Sequence, residues 1–363
     1  MEKGQKLIFT VTNDLQYDQR MQRISGALSS VGFDVLLVGR KLKNSKTLPQ
    51  WNFKTKRINC FFNKGKLFYA EYNLRLFFYL LFKKSDAVCA IDLDTILPCL
   101  FVSKLKGLIC IYDAHEYFTE VPEVIERPSV QKLWRKIEAF AIPKIKYKYT
   151  VSNGLAGLFE KRYGAKFDVF RNLPLYTFDK NAKEKQTKII IYQGALNEGR
   201  GLELLLKTAD QIPEIEIWLA GEGDLSQDLR DLSLRYAQGR IKFLGFLKPE
   251  ELKEITGKAW LGYNVLENKG LSYYYSLSNK FFDYMQASVP SISSDFPEYK
   301  LLIEKYECGL ICDYSVVALT DKIKLLLNDN DFYLELKNKC EIAASELNWE
   351  KEKLGLVRFY EEI

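Results

Sequence analysis

The chain contains a single histidine, His115, which follows a strand predicted to end at Tyr112. Ligands of open α/β sheets bind beyond the carboxyl ends of the strands, so His115 is a candidate for proton transfer or for positioning a substrate. Glu116 and Glu120 are close enough in sequence to orient it or to face an acceptor, and Asp94 follows the preceding predicted strand. A lone histidine is more often structural than catalytic, so a packing role remains the alternative.

A glycine-rich segment, residues 193–201, follows a strand predicted at 188–192 and leads into a helix. The free backbone N–H groups and the positive end of such a helix favour a phosphate, and Arg200 can clamp a diphosphate with two parallel hydrogen bonds. Gly194 in this segment, and Gly221 after a later strand, allow a ligand to approach the backbone. The alternative is an ordinary turn with a solvated arginine. A P-loop is excluded because no Gly-x-x-x-x-Gly-Lys-Ser/Thr is present.

The helix that opens at Ser278 carries a third set of candidates. Ser278 is the predicted N-cap, and Asn279 and Lys280 follow in the first turn. A cation in the first turn opposes the helix dipole, so Lys280 indicates a bound anion. Asp283 lies about one turn further along. The alternative is a capped helix with a solvated lysine.

These candidates lie next to strands that alternate with helices of ten or more residues, a pattern typical of parallel βαβ units. The pattern breaks in a lysine-rich stretch after Pro174 and then restarts, which predicts two doubly wound halves. We therefore expect an α/β fold of two Rossmann-like parallel-sheet domains. The expected domains are residues 1–172 and 189–348, joined by a linker at 173–188, with a terminal helix at 349–363 that packs back on the first domain.

The net charge of +6 is unevenly divided along the chain. Residues 1–175 carry 29 Lys and Arg against 16 Asp and Glu, a net charge of +13, and the remainder carries 24 against 31, a net charge of −7. A basic first half indicates an anionic partner, and nucleic acid and an anionic membrane surface are the candidates. Nucleic acid is disfavoured because the phosphate-type loops lie in the acidic half.

Two aromatic, lysine-rich stretches at 67–84 and 134–149 are amphipathic. They are either core helices with basic outer faces or surfaces that contact a lipid-linked acceptor at a membrane. No apolar run approaches the ~20 residues that span a bilayer, and the run at 7–11 is too short for a signal peptide. We therefore expect a cytoplasmic protein, peripheral on the inner face of the membrane. Seven cysteines, an odd number, and a single histidine predict reduced thiols and no metal site.

Four segments resemble, in order and spacing, motifs of the group-1 retaining glycosyltransferases (glycosyltransferase family 4, GT-B fold). They are the histidine segment at 113–120, the strand end Val151-Ser152-Asn153, the phosphate loop from Gly194 to Gly201, and the donor helix at 278–285 followed by Val289-Pro290. The likeness covers nearly the whole chain. It implies two domains facing across a cleft, with a nucleotide-diphosphate sugar in the second domain and an acceptor on the first.

The resemblance also implies roles for single residues. Asp283 would hold the ribose hydroxyls, Arg200 and Lys280 the diphosphate, and His115 would reach the transferring sugar as the catalytic residue. The implied donor site consists of Gly194, Arg200, Gly221, Asn279, Lys280 and Asp283, and the acceptor-side residues of Asp94, Glu116 and Glu120. Three departures from the family pattern are Ala195 in place of a basic residue, Asp283 in place of Glu, and Tyr275 in place of a second Glu.

The predicted function is transfer of a sugar from a nucleotide-diphosphate sugar to a glycan or lipid-linked acceptor, with retention of configuration and without a metal or another cofactor. Two alternatives stay open. One is a nucleotide-sugar-processing enzyme of the same fold, such as an epimerase, for which a single histidine is meagre. The other is a non-catalytic module that binds a sugar or an anion. A hydrolase triad is disfavoured because no Gly-x-Ser-x-Gly occurs.

Overall fold

The computed structural model describes residues 1–2, 4–177 and 188–363. It contains two compact units, one formed by residues 1–172 and 352–363 and the other by residues 173–351. Each unit has its own parallel sheet with helices packed against it, so the predicted α/β fold of two Rossmann-like domains is confirmed. Of the predicted linker, residues 178–187 lie outside the described residues, and residues 173–177 belong to the second unit.

The first unit is built on a seven-stranded sheet in the order β3-β2-β1-β4-β5-β6-β7. Its strands are Lys6–Thr10 (β1), Asp34–Lys41 (β2), Lys54–Asn59 (β3), Ala87–Ile91 (β4), Ile109–Ala114 (β5), Tyr147–Thr150 (β6) and Asp168–Val169 (β7). Its helices are Gln19–Ser30 (α1), Gly65–Phe82 (α2), Ile96–Lys106 (α3), Pro122–Ile125 (α4), Pro128–Ala141 (α5) and Asn153–Tyr163 (α6), with short 3₁₀ turns at Leu93–Thr95, Phe118–Glu120 and Ile142–Lys144.

The second unit is built on a six-stranded sheet in the order β10-β9-β8-β11-β12-β13. Its strands are Lys188–Gln193 (β8), Ile215–Ala220 (β9), Ile241–Gly245 (β10), Leu261–Asn264 (β11), Ser291–Ser294 (β12) and Gly309–Cys312 (β13). Its helices are Leu202–Asp210 (α7), Ser226–Ser233 (α8), Pro249–Lys258 (α9), Leu271–Tyr274 (α10), Asn279–Gln286 (α11), Pro297–Tyr306 (α12), Val316–Asn328 (α13) and Asn330–Glu346 (α14).

The last helix, Trp349–Glu362 (α15), begins in the second unit and continues in the first. Within the first unit its Tyr360 is fully buried, with its hydroxyl 2.9 Å from the hydroxyl of Tyr149 on β6 and its ring 5.9 Å from that of Phe9 on β1. These aromatic contacts anchor residues 352–363 on the first sheet, because buried aromatic rings remove a large apolar area from water.

Both sheets reverse their strand order next to the first strand of the unit, at β1/β4 and at β8/β11. Such a reversal opens a crevice at the carboxyl ends of the strands, which is where α/β sheets bind ligands. Strand β4 and the interior of β8 consist of buried apolar residues, as expected for parallel strands covered on both faces. The seven cysteines all lie in the described residues, and none of them forms a disulfide. Among the helices of the described residues, none combines the length and apolar character needed to cross a bilayer.

Candidate functional site

The loops after β8 and β9 in the second unit touch through their glycines. Gly194 follows β8 with a φ of +130°, and its backbone N–H donates to Ala220 O at 3.0 Å. Gly221 follows β9 with a φ of +149°, and a Cβ at this position would lie 1.9 Å from Gly194 O. Position 221 therefore accepts only glycine without a shift of the backbone. Sequence analysis proposed that both glycines let a ligand approach, and Gly221 has in addition this packing role.

Two cations lie beside these loops. Lys280, in the first turn of α11, is only 7% exposed, and its Nζ lies 4.6 Å from the centroid of the Tyr192 ring. The guanidinium of Arg200 lies 4.7 Å from the centroid of the Tyr273 ring. Among residues 1–2, 4–177 and 188–363, neither cation forms an ion pair with a carboxylate, and the buried Nε of Arg200 has no hydrogen-bond partner. A buried cation is normally paired, so an anion bound beside Lys280 and the half-buried Arg200 would compensate their charge.

The electrostatics of Lys280 reflect the same arrangement. Burial, together with the nearby positive charge of Arg200, holds the pKa of Lys280 well below its usual value of 10.5, although Asp283 acts in the opposite direction. An anion placed between the two cations would reverse this effect, because it favours the charged form of the amine.

The Asp283 carboxylate is held in place by a chain of hydrogen bonds from β8 and α9. Gln193, the last residue of β8, donates from Nε2 to Asp283 Oδ2 at 2.8 Å, and Thr256 on α9 donates to Gln193 Oε1 at 2.7 Å. This chain of hydrogen bonds fixes the carboxylate next to the glycine-rich loop. Sequence reasoning missed Gln193 and Thr256, and the available signal was that Gln193 is a polar residue at the end of an apolar strand.

The start of α11 differs from the prediction. Ser278 stands at the N-cap, but its hydroxyl donates to Asn264 Oδ1 at 2.9 Å and makes no cap bond to the helix. Asn279 is exposed, and Tyr275, half-buried at the end of α10, occupies the place of the second family carboxylate. The start of α7, after Gly201, likewise has no side-chain cap. Within the described residues, neither helix therefore receives a capping hydrogen bond from the side chain at its N-cap.

In the first unit, His115 lies in a row of charged groups at the ends of β4 and β5. Strand β5 runs to Ala114, two residues beyond the predicted end, and includes the fully buried Asp113. Asp113 accepts two hydrogen bonds from Arg20, at 3.1 and 3.3 Å, and lies 3.0 Å from His115 Nε2. Asp92, after β4, accepts from the backbone N–H of His115 at 2.8 Å and lies 3.6 Å from its Nδ1.

These neighbours set the protonation states. Burial disfavours the charged imidazole, but the carboxylates of Asp113 and Asp92 outweigh it and raise the pKa of His115 to about 9. Burial raises the pKa of Asp92, while for Asp113 the positive charges of Arg20 and His115 overcome burial and lower the pKa. The imidazole is thus a cation at neutral pH, oriented by Asp113 through Nε2, with Nδ1 beyond hydrogen-bond distance of Asp92.

The acceptor-side candidates divide into two groups. Asp94 is buried and accepts a hydrogen bond from the Thr12 hydroxyl at 2.5 Å, and burial raises its pKa to about 6. Like Asp92, it directly follows β4 and therefore lies at the same end of the sheet. Glu116 is exposed next to His115. The carboxylate of Glu120 instead pairs with two arginines in a separate cluster, Arg135 at 2.7 Å and Arg162 at 3.8 Å.

The structure therefore assembles Gly194, Arg200, Lys280 and Asp283 in the second unit, and His115 with Asp113, Asp92 and Arg20 in the first. Sequence reasoning missed the roles of Arg20 and Asp113, since a single aspartate inside a strand gives little signal of its distant partner. In the part of the chain that the structure describes, no three His, Cys, Asp or Glu side chains are grouped in a way that could hold a metal ion.

Residues 177–346 match the family model described as Glycosyl transferases group 1. The match lies within the second unit, and the resemblance to group-1 glycosyltransferases inferred from the motifs is confirmed. Among curated protein sequences, a search finds no significant match.

Solved structures share the GT-B fold. Sucrose-phosphate synthase from Thermosynechococcus elongatus superimposes with a TM-score of 0.84 and 14% identity, over 99% of this chain and 98% of that one. HepE from Anabaena, in complex with UDP and glucose, superimposes with a TM-score of 0.77 and 14% identity, over 99% of this chain and 100% of that one. WaaG, a glycosyltransferase involved in lipopolysaccharide biosynthesis, superimposes with a TM-score of 0.75 and 13% identity, over 97% of this chain and 98% of that one. At these identities the likeness establishes the fold.

Proposed function

We propose that this glycosyltransferase moves a sugar from a nucleotide-diphosphate sugar to a glycan or lipid-linked acceptor, with retention of configuration and without a metal. The donor would bind in the second unit and the acceptor on the first, in the cytoplasm at the inner face of a membrane. HepE, a protein of the same fold, was solved with UDP and glucose, so UDP-sugars are the first donors to try.

The observation that carries the proposal is the buried Lys280 beside the half-buried Arg200, neither of which forms an ion pair within the described residues. The departing diphosphate gains negative charge as the glycosidic bond breaks. Fixed cations and helix N–H groups stabilise that charge without having to reorganise, which is the largest contribution in many enzymes. Arg200, Lys280 and the starts of α7 and α11, which receive no hydrogen bond from their N-cap side chains, would supply such groups.

Asp283 and His115 supply the remaining roles. The Asp283 carboxylate, fixed by Gln193, can accept hydrogen bonds from the two ribose hydroxyls. In the first unit, Asp113 holds Nε2 of His115, which leaves Nδ1 as the nitrogen that would donate to the sugar. The location of the active site in a cleft between the domains stays a prediction.

The test is calorimetric titration of the full chain with UDP, GDP, ADP and dTDP. Arg200→Ala and Lys280→Ala should each weaken binding of the preferred diphosphate by at least about tenfold, because a hydrogen bond to a charged group contributes ~1.5–3 kcal/mol. Lys207→Ala is the matched control, since Lys207 is an exposed lysine on α7. Unchanged affinity in both site variants would remove the donor site from this position.

Turnover separates the transferase from its alternatives. Purified protein that slowly hydrolyses a nucleotide sugar, releasing the sugar and the nucleoside diphosphate, would support a transferase that uses water in place of its acceptor. Interconversion of the nucleotide sugar without release would favour an epimerase-like enzyme. Tight diphosphate binding with no turnover of any donor would favour a binding module, which the replacement of a family carboxylate by Tyr275 allows.

A further inference from the structure

Helix α2 is apolar on two opposite faces. Its inward face, Phe68, Tyr72, Leu76 and Leu80, is buried against the first sheet. Its outward face carries Leu74, Phe78 and Phe82, which are 60%, 50% and 82% exposed, beside the ion pair of Glu71 and Arg75. A surface helix of a water-soluble domain normally carries polar residues on the outward face, so the outward stripe of α2 requires an apolar environment.

The neighbouring helices extend this stripe. Lys106, at the end of α3, donates from Nζ to Leu80 O and Lys83 O at 3.1 and 2.6 Å, which holds the ends of α2 and α3 together. The Phe101 ring of α3 lies 6.2 Å from the Phe140 ring of α5. The exposed side chains of Leu74, Phe78, Phe82, Phe101, Leu105 and Phe140 are named here the α2–α3–α5 face.

The charge around this face is positive. Residues 71–86, 95–112 and 127–149 contain twelve lysines and arginines against three carboxylates, which are Glu71 paired with Arg75, the exposed Asp86 and the buried Glu138. Exposed lysines border the apolar side chains, including Lys83, Lys84 and Lys104, and within the described residues none of these three forms an ion pair. The Nζ of Lys144 lies 3.8 Å above the Phe140 ring.

We propose that the α2–α3–α5 face binds the surface of an anionic lipid bilayer. Its apolar side chains would enter the boundary between headgroups and acyl chains, while the lysines extend to the anionic headgroups. Each lysine near such a surface raises the affinity by about fivefold. A second copy of the chain fits less well, because a two-fold interface would bring the same lysines face to face. The proposal depends on this surface alone and not on the donor site.

The test is flotation of the full chain with vesicles of phosphatidylcholine alone or mixed with phosphatidylglycerol, at low and raised salt. We expect binding to the anionic vesicles that weakens as salt rises, because salt screens the lysines. The combined variant Lys83→Gln, Lys84→Gln and Lys104→Gln should lose about 100-fold in affinity for anionic vesicles. The combined variant Phe78→Ser, Phe82→Ser and Leu105→Ser should lose at least about tenfold at every salt concentration.

Matched controls come from the second unit. Leu234, Phe246 and Val317 are exposed to a similar degree, and their combined change to Ser should leave vesicle binding intact. Melting temperature and diphosphate binding should be unchanged in all variants, which separates loss of the surface from loss of the fold or of the donor site. The proposal would be overturned if the wild-type protein did not bind anionic vesicles, or if the control variants lost as much vesicle affinity as the face variants. Concentration-dependent dimers abolished by the Phe78 variant, without vesicle binding, would assign the face to a second copy and also overturn it.

Discussion

The single histidine of the chain allows one titration to be followed without a substrate. The perturbation is Asp92→Asn, which removes one of the two carboxyl groups next to the His115 imidazole. Asparagine can still accept the backbone hydrogen bond that Asp92 receives from His115. It also tolerates the φ of +56° at this position, since Asn is among the residues most often found there. The substitution therefore changes charge with little change in geometry.

The magnitude follows from the row of charges. The pKa of His115 rises from 6.5 to about 9. At ~1.4 kcal/mol per pH unit, this corresponds to about 3 kcal/mol in favour of the imidazolium. Because the pKa is raised in the folded protein, this stabilisation is fully present below pH 6.5 and is lost as the pH rises to about 9. In the Asp92→Asn variant the pKa should fall, but Asp113 should keep it above 6.5.

The assay is an NMR titration of protein labelled with ¹³C only in histidine, which gives one Cε1–H signal. The wild-type midpoint should lie near 9 and the variant midpoint between 6.5 and 9. A second measurement compares melting temperatures, which should fall further between pH 6.5 and 9 in the wild type than in His115→Gln. A wild-type midpoint at or below 6.5, or identical midpoints in wild type and variant, would refute the reasoning.

Three further predictions concern the second unit. Diphosphate binding should be accompanied by proton uptake at pH values between the lowered pKa of Lys280 and 10.5, because a bound anion favours the charged amine. Calorimetry in buffers of different ionisation enthalpy measures this uptake, and an equal uptake in Lys280→Gln would contradict the prediction. Asp283→Asn should weaken binding of a ribonucleotide about tenfold more than of its 2′-deoxy analogue, and equal losses would make Asp283 a structural residue. Gly221→Ala should lower stability by about 2 kcal/mol, measured by denaturant unfolding, because its Cβ would overlap Gly194 O. Gly157→Ala on α6, which meets no atom within 4 Å, is the control that should not destabilise, and equal effects of the two changes would argue against the overlap.

The sequence by itself determined the two-domain α/β fold and the local parts of the proposed donor site. Parallel strands covered on both faces are continuous apolar runs, so β4 and β8 stand out from the polar turns around them. Arg200 and Lys280 were also predictable, because each lies in a short segment whose neighbours already indicate a loop or a helix start. Such features depend on residues a few positions apart, and the sequence shows them directly.

The tertiary structure alone decided which distant residues become partners. Gln193 and Asp283 are 90 positions apart, and Arg20 and Asp113 are 93 apart, so no local pattern links them. The outward face of α2 was equally undetermined, since its sequence places apolar residues on both faces and only packing shows which of them stay exposed. The physical reason is common to these cases. A hydrogen bond, an ion pair or burial depends on where crossover connections bring separate strands and helices together, and that arrangement is a property of the whole folded unit.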